Sequence, residues 1–229
     1  MRVEPFTTGD FLHVYNRGNR KSEIVRDERD KWRFMQALYF FNDARSSQNV
    51  LRNIERVKLS KSDFDRNRDP LVKIICYSLL PNHFHLVLKE FKEGGISKFM
   101  QKLGTGYTNF FNLKHQETGR LFQGSYKGKV IKKQSYLDYL SVYIQVINIL
   151  ELFPGGLKNA LDDLDKGFNF VENYPFSSYL DFVGKNESLI VDRIAIKEVF
   201  SRPGEDYGKF AREIVETRKF EVLDDLKLD

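Results

Sequence analysis

Cysteine is nearly missing from this chain of 229 residues, which has one, Cys76. A single thiol excludes an internal disulfide and a cysteine-rich zinc site. Its place in an apolar run assigns it to core packing and fits a reducing cytoplasm. Also missing is any apolar run long enough to span a bilayer, and Met1-Arg2-Val3-Glu4-Pro5 lacks a signal-peptide pattern, so a cytoplasmic protein with no membrane partner is expected. Neither sign of charge dominates. Lys and Arg number 37 against 32 Asp and Glu, a net charge of +5, and the pI of about 9.1 leans only mildly towards a polyanionic partner. What is plentiful is apolar and aromatic residue, 41% and 14%, enough for a folded globule of one large domain or a core domain with an appendage.

Histidine is scarce too, four residues, yet two of them stand at alternate positions in Pro81-Asn82-His83-Phe84-His85-Leu86-Val87-Leu88. Successive side chains of a strand point to opposite faces, so His83 and His85 share one face while Phe84 enters a core. Two imidazoles side by side on a rigid strand can chelate a divalent metal. Taken alone, such a pair is also explained as partly buried histidines bonding to their neighbours.

Along the chain, Phe11 to Tyr15 reads as a short strand ending in the turn Asn16-Arg17-Gly18-Asn19-Arg20-Lys21. Asp27 is a plausible N-cap for a helix carrying Trp32, Phe34, Met35, Leu38 and Phe41. Residues 44–70 are polar and dense in charge, an insertion with at most a short helix. Leu71 to Leu79 is a second strand, joined to the histidine strand as a hairpin. A helix follows from about Ser97, then a loop and strand over Gly119 to Val130, then a helix from Ser135 to about Leu152 with Pro154-Gly155-Gly156 ending it. This order predicts an α+β fold, a ferredoxin-like antiparallel sheet with helices on one face. The main domain is expected over 8–158 and a small helical C-terminal appendage over 159–229, including the aromatic loop Tyr174 to Tyr179 and short helices near Arg193 to Phe200 and Tyr207 to Phe220.

Positive charge crowds between Lys114 and Lys133: Lys114, Arg120, Lys127, Lys129, Lys132 and Lys133, opposed by Glu117 and interleaved with Phe122, Gln123 and Tyr126. Cations neutralise backbone phosphates and rings offer stacking surfaces for unpaired bases. Arg17, Arg20 and Lys21 join this surface if the first strand is central. The alternative is a solvated loop. The following helix supplies Tyr136, Tyr139 and Tyr143. A phenol with a pKa near 10 is a poor nucleophile until a metal stands beside it, and each tyrosine alone also fits a packing role at the rim.

Several of these segments, in order, resemble one family. Leu80 to Leu88 is similar to the His-hydrophobic-His signature of the IS200-like single-tyrosine (HUH) transposases. His13-Val14-Tyr15-Asn16-Arg17-Gly18-Asn19, Phe99 to Leu103, Gly119 to Lys127, Tyr136-Leu137 and Tyr174 to Tyr179 resemble the REP-associated branch. The resemblance covers roughly residues 10 to 184. It implies a nuclease and strand transferase acting on single-stranded and hairpin DNA, as a monomer or homodimer. His83 and His85 would hold Mg²⁺ or Mn²⁺, and a tyrosine would attack a scissile phosphate to leave a 5′-phosphotyrosine. Tyr143 matches the nucleophile by position, with Tyr139 as runner-up. The family places Asn or Gln four residues later as a third ligand; here Ile147 stands there and Asn148 comes one residue late. A π-bulge absorbing that residue would bring Asn148 back towards the metal. The missing proline, with Ile149 in its place, keeps a second reading open, a domesticated, non-catalytic module that binds structured DNA or RNA. A zinc hydrolase lacks a clear third ligand.

Overall fold

The structure is a computed structural model that describes residues 6–47, 50–53, 67–200 and 206–217. Four strands, β1 (Phe11–Arg17), β2 (Val72–Leu79), β3 (His83–Glu90) and β4 (Lys127–Ile131), form one antiparallel sheet in the order β2-β3-β1-β4. This is the predicted α+β arrangement, and β1 is a central strand. The hairpin between β2 and β3 is closed by the Leu80 N–H bonded to the His83 carbonyl at 2.9 Å.

Strand alternation sends Leu12, Val14, Phe84, Leu86 and Leu88 to one face. There they pack against α1 (Glu28–Phe41) and α2 (Gly95–His115) through Phe34, Leu38, Phe41, Phe99, Leu103 and Tyr107. Asp27 caps α1 as expected, its carboxylate accepting the Asp30 N–H at 2.9 Å. The two helices approach closely because Gly106 lies under Phe41; a Cβ there would come within 2.1 Å of the ring.

The other face of the sheet is not open. Val87, Ile75 and Cys76 are covered by a helix built from α3 (Gln134–Val142), a π-helical turn (Tyr143–Ile147) and α4 (Asn148–Leu150). Helices on one face therefore describes α1 and α2; the tyrosine-bearing helix closes the opposite side. The chain beyond 159 builds on that helix. Ala160, Phe168, Val171, Tyr179, Tyr207 and Phe210 share one buried cluster with it, drawn from α5 (Gly156–Asp162), α6 (Leu164–Glu172), α7 (Tyr179–Phe182) and α9 (Tyr207–Glu216), with α8 (Arg193–Val199) adding Ala195 and Val199. Residues 176–178 also extend the free edge of β2, through the Leu79 N–H to the Phe176 carbonyl (3.0 Å) and the Ser178 N–H to the Tyr77 carbonyl (3.1 Å).

The expected insertion at 44–70 lies in large part outside the described residues. Its described portion includes a 3₁₀ turn, Val50–Asn53, whose Leu51 is buried and whose Leu51 carbonyl accepts from Arg33 at 2.9 Å. Among the described residues no helix is long and apolar enough to cross a membrane.

Candidate active site

On the face covered by the tyrosine-bearing helix, β1 and β3 are in register so that Arg17 faces His83, Tyr15 faces His85 and His13 faces Val87. The two signature histidines are brought together, ring centroids 5.1 Å apart and nearly perpendicular at 81°. Their second nitrogens are engaged. His83 Nδ1 bonds the Asn82 side-chain oxygen at 2.6 Å; that oxygen can only accept, so His83 carries its proton on Nδ1 and leaves Nε2 bare. His85 Nδ1 meets His13 Nε2 at 2.8 Å. Burial, reinforced by the Arg17 guanidinium, pushes His83 down to about 4, and burial, with the neighbouring His13 and His83 adding to it, holds His85 well below the ordinary imidazole value. Burial and Lys129 push His13 down to about 3. All three rings are neutral at pH 7, the form that offers a lone pair to a metal.

The π-helical turn anticipated from the late asparagine is present over Tyr143–Ile147. The Asn148 N–H reaches the Tyr143 carbonyl, five residues back rather than four. In a regular helix each residue turns by about 100°, which would carry Asn148 away from the line of Tyr143; the wider turn returns it to the place an i+4 residue occupies. Tyr143 is 6% exposed and its ring meets that of His85 edge-on, 6.2 Å between centroids at 89°. Tyr136 and Tyr139 lie at the rim of the cluster that buries Tyr143.

Three polar atoms around this face have no hydrogen-bond partner among the described residues: His13 Nδ1, Ser78 Oγ and Asn148 Nδ2. Ser78 is set opposite His85 by a bulge in β2 between Ile74 and Cys76, which lets the strand present both Ile75 and Cys76 to the same side. Buried polar atoms are normally satisfied, so this group is incomplete as it stands. Two neutral imidazoles with bare or freeable Nε2 atoms, a phenol and a carboxamide fit a divalent cation that completes its shell with phosphate or water oxygens. They do not make a closed structural site, and no group of three or more His, Cys, Asp or Glu that could hold a metal occurs among the described residues.

The basic residues divide into groups. Lys127 and Lys129 lie on the histidine face of β4, opposite Tyr15 and His13, with the Lys127 ammonium 5.8 Å from the Tyr15 ring centroid. Arg17 is beside His83, and Arg20 and Lys21 are exposed on the turn that follows, at φ of 54° and 63°. Gly18 begins that turn, and any side chain there would strike the Ser22 carbonyl, 1.9 Å from an added Cβ. The loop carrying Arg120 and Gln123 is fastened to the same end of the sheet. Asn19 N–H donates to the Leu121 carbonyl (2.8 Å), Gln123 N–H to the Arg17 carbonyl (2.9 Å) and Asn16 Nδ2 to the Gly124 carbonyl (3.0 Å). Tyr126 turns to the α2 side, its hydroxyl 3.4 Å from Ser97 Oγ. Lys132 and Lys133 stand apart. They follow Ile131, which pairs with Phe11, at the end of the sheet away from His83 and Arg17.

Sequence reasoning passed over His13 and Ser78. The signal available for His13 was its alternation with Tyr15 and Arg17, which gives it the face that β1 shares with His83 and His85. Nothing local marked Ser78, whose side depends on the bulge.

Among curated proteins no match to this chain is found. A solved REP-associated tyrosine transposase bound to a REP hairpin resembles it with a TM-score of 0.46 and 14% identity, over 84% of this chain and 93% of that one. The family model described as "Transposase IS200 like" matches residues 45–146, a stretch that contains the histidine pair and Tyr143 and stops two residues before Asn148. Motif order and family match point the same way: residues 45–146 of this chain are similar to the IS200-like transposase family.

Proposed function

We propose that the chain cleaves and rejoins single-stranded DNA next to a hairpin of the REP type, with Tyr143 as nucleophile. The observation that carries this reading is the edge-on meeting of Tyr143 with His85 within one chain, on a helix whose π turn restores the Tyr143–Asn148 spacing. His83, His85 and Asn148 would hold Mg²⁺ or Mn²⁺, which when bound polarises the scissile phosphate and eases loss of the phenolic proton. Tyr143 Oη then bonds to phosphorus, its proton passing to solvent. The bond from phosphorus to the 3′-oxygen breaks, and that oxygen takes a proton to become a free 3′-hydroxyl. The 5′-phosphate stays on Tyr143 until another 3′-hydroxyl displaces it, so the phosphoester bond energy is conserved. Arg17, Arg20, Lys21, Arg120, Lys127 and Lys129 would neutralise backbone phosphates, and Gln123 and Tyr126 would meet bases exposed beside the stem. With nucleophile and histidines supplied by one subunit, a monomer suffices.

The sparse ligand set favours one competitor, a module that binds structured DNA without cutting it. Tyr143→Phe separates the two. On a hairpin-bearing oligonucleotide with Mn²⁺, the wild type forms a covalent protein–DNA adduct and Tyr143→Phe forms none, while both bind the hairpin equally. A wild type that binds the hairpin and forms no adduct leaves the binding module standing.

A further inference from the structure

His13 is fully buried on β1, its ring edge to edge and nearly coplanar (12°) with that of His85, and among the described residues its side chain hydrogen-bonds His85. We infer that His13 is a positioning residue whose Nε2 accepts the Nδ1 proton of His85 and so keeps the Nε2 lone pair of His85 available to a divalent cation. This rests on the reading of His83 and His85 as a cation site.

Two neutral imidazoles facing each other nitrogen to nitrogen share one proton. If it sits on His13 Nε2, His85 must carry its own proton on Nε2, and a protonated nitrogen cannot ligate. If it sits on His85 Nδ1, the Nε2 of His85 is bare, as that of His83 already is through Asn82. Cation binding at both rings therefore requires His13 to be the acceptor. A purely space-filling role explains His13 poorly. Its other nitrogen, Nδ1, is buried with no hydrogen-bond partner among the described residues, a cost that an aliphatic residue at the same place would avoid. Partners of this kind fix the tautomer and orientation of ligating histidines, and losing one lowers metal affinity about 10- to 100-fold.

The test is calorimetric titration of Mn²⁺ into the full chain and into His13→Leu and His13→Gln. The leucine variant is expected to bind Mn²⁺ about 10- to 100-fold more weakly. The glutamine variant, whose side-chain oxygen can accept the same proton, should recover most of that loss, and hairpin affinity should be unchanged throughout. Unaltered Mn²⁺ affinity in His13→Leu overturns the inference while leaving the cation site in place. A wild type with no Mn²⁺ affinity removes the cation site, and the inference falls with it. Should His13→Leu fail to fold, nitrogen-15 NMR of the wild type with Mg²⁺ decides: a proton on His85 Nδ1 shared with His13 Nε2 supports the assignment, and a proton on His85 Nε2 overturns it.

Discussion

A solvated imidazole titrates near 6.5, so at pH 6 an exposed histidine pair would be largely protonated and unable to ligate. Burial removes that obstacle, because His83 is pushed down to about 4 and His85 well below the ordinary value. The same burial makes folding sensitive to acid. Between about 6.5, where His83 titrates in the unfolded chain, and about 4, where it titrates in the fold, the unfolded state holds the extra proton. Stability is thus whole above about 6.5 and declines as pH falls towards 4, with His13 and His85 acting in the same sense. Urea unfolding at pH 7, 6 and 5 should show falling midpoints, and His83→Gln should flatten the dependence; equal midpoints for the wild type at all three values would contradict it. At this scale the proposed site residues His83, His85, Tyr143 and Asn148 stand out in the sequence through alternation, helical position and family likeness. It did not single out His13, because one histidine on an apolar strand reads as core until its neighbour across the sheet is known.

The tyrosine-bearing helix is held in place by a buried polar chain as well as by apolar packing. Gln145, inside the π turn, donates to the Tyr207 hydroxyl of α9 at 2.9 Å, and that hydroxyl lies 2.9 Å from Ser141 Oγ. Ser178 Oγ donates to Gln145 Oε1 at 2.9 Å and accepts the Tyr77 N–H of β2 at 2.9 Å. The π turn is thus tied to the sheet on one side and to the C-terminal helix on the other. Tyr207→Phe removes the hydroxyl between Ser141 and Gln145 and leaves buried polar atoms short of a partner, a loss of about 1–3 kcal/mol. Urea unfolding should show that loss, with slower adduct formation and undiminished hairpin binding; unchanged stability would mean that the network holds nothing. The π turn was legible because Asn148 comes one residue late. The network was not, since Gln145 and its partners are 62 and 33 residues apart in sequence. The bulge at Ile74 and Cys76 was likewise hidden in an unbroken apolar run.

For the molecule as a whole, charge is organised by the ends of the sheet. Arg17, Arg20, Lys21, Arg120 and Lys127 gather at the end that carries His83, whereas Lys132 and Lys133 sit beyond Ile131 at the other. In the sequence all of the later lysines form one run; the antiparallel course of β4 separates them. Replacing Lys127 and Lys129 by alanine should weaken hairpin binding and reduce the slope of log affinity against log salt by about one for each phosphate no longer neutralised. The same change at Lys132 and Lys133 should alter it less, and the reverse order would relocate the DNA path. The most direct test of the account is covalent capture: the full chain is incubated with Mn²⁺ and a hairpin-bearing single strand, digested, and the DNA-linked peptide sequenced by mass spectrometry. A nucleotide phosphate on Tyr143, absent when His83 and His85 are replaced by alanine, is the predicted result; linkage to Tyr139, or none at all on a strand the protein binds, would contradict it.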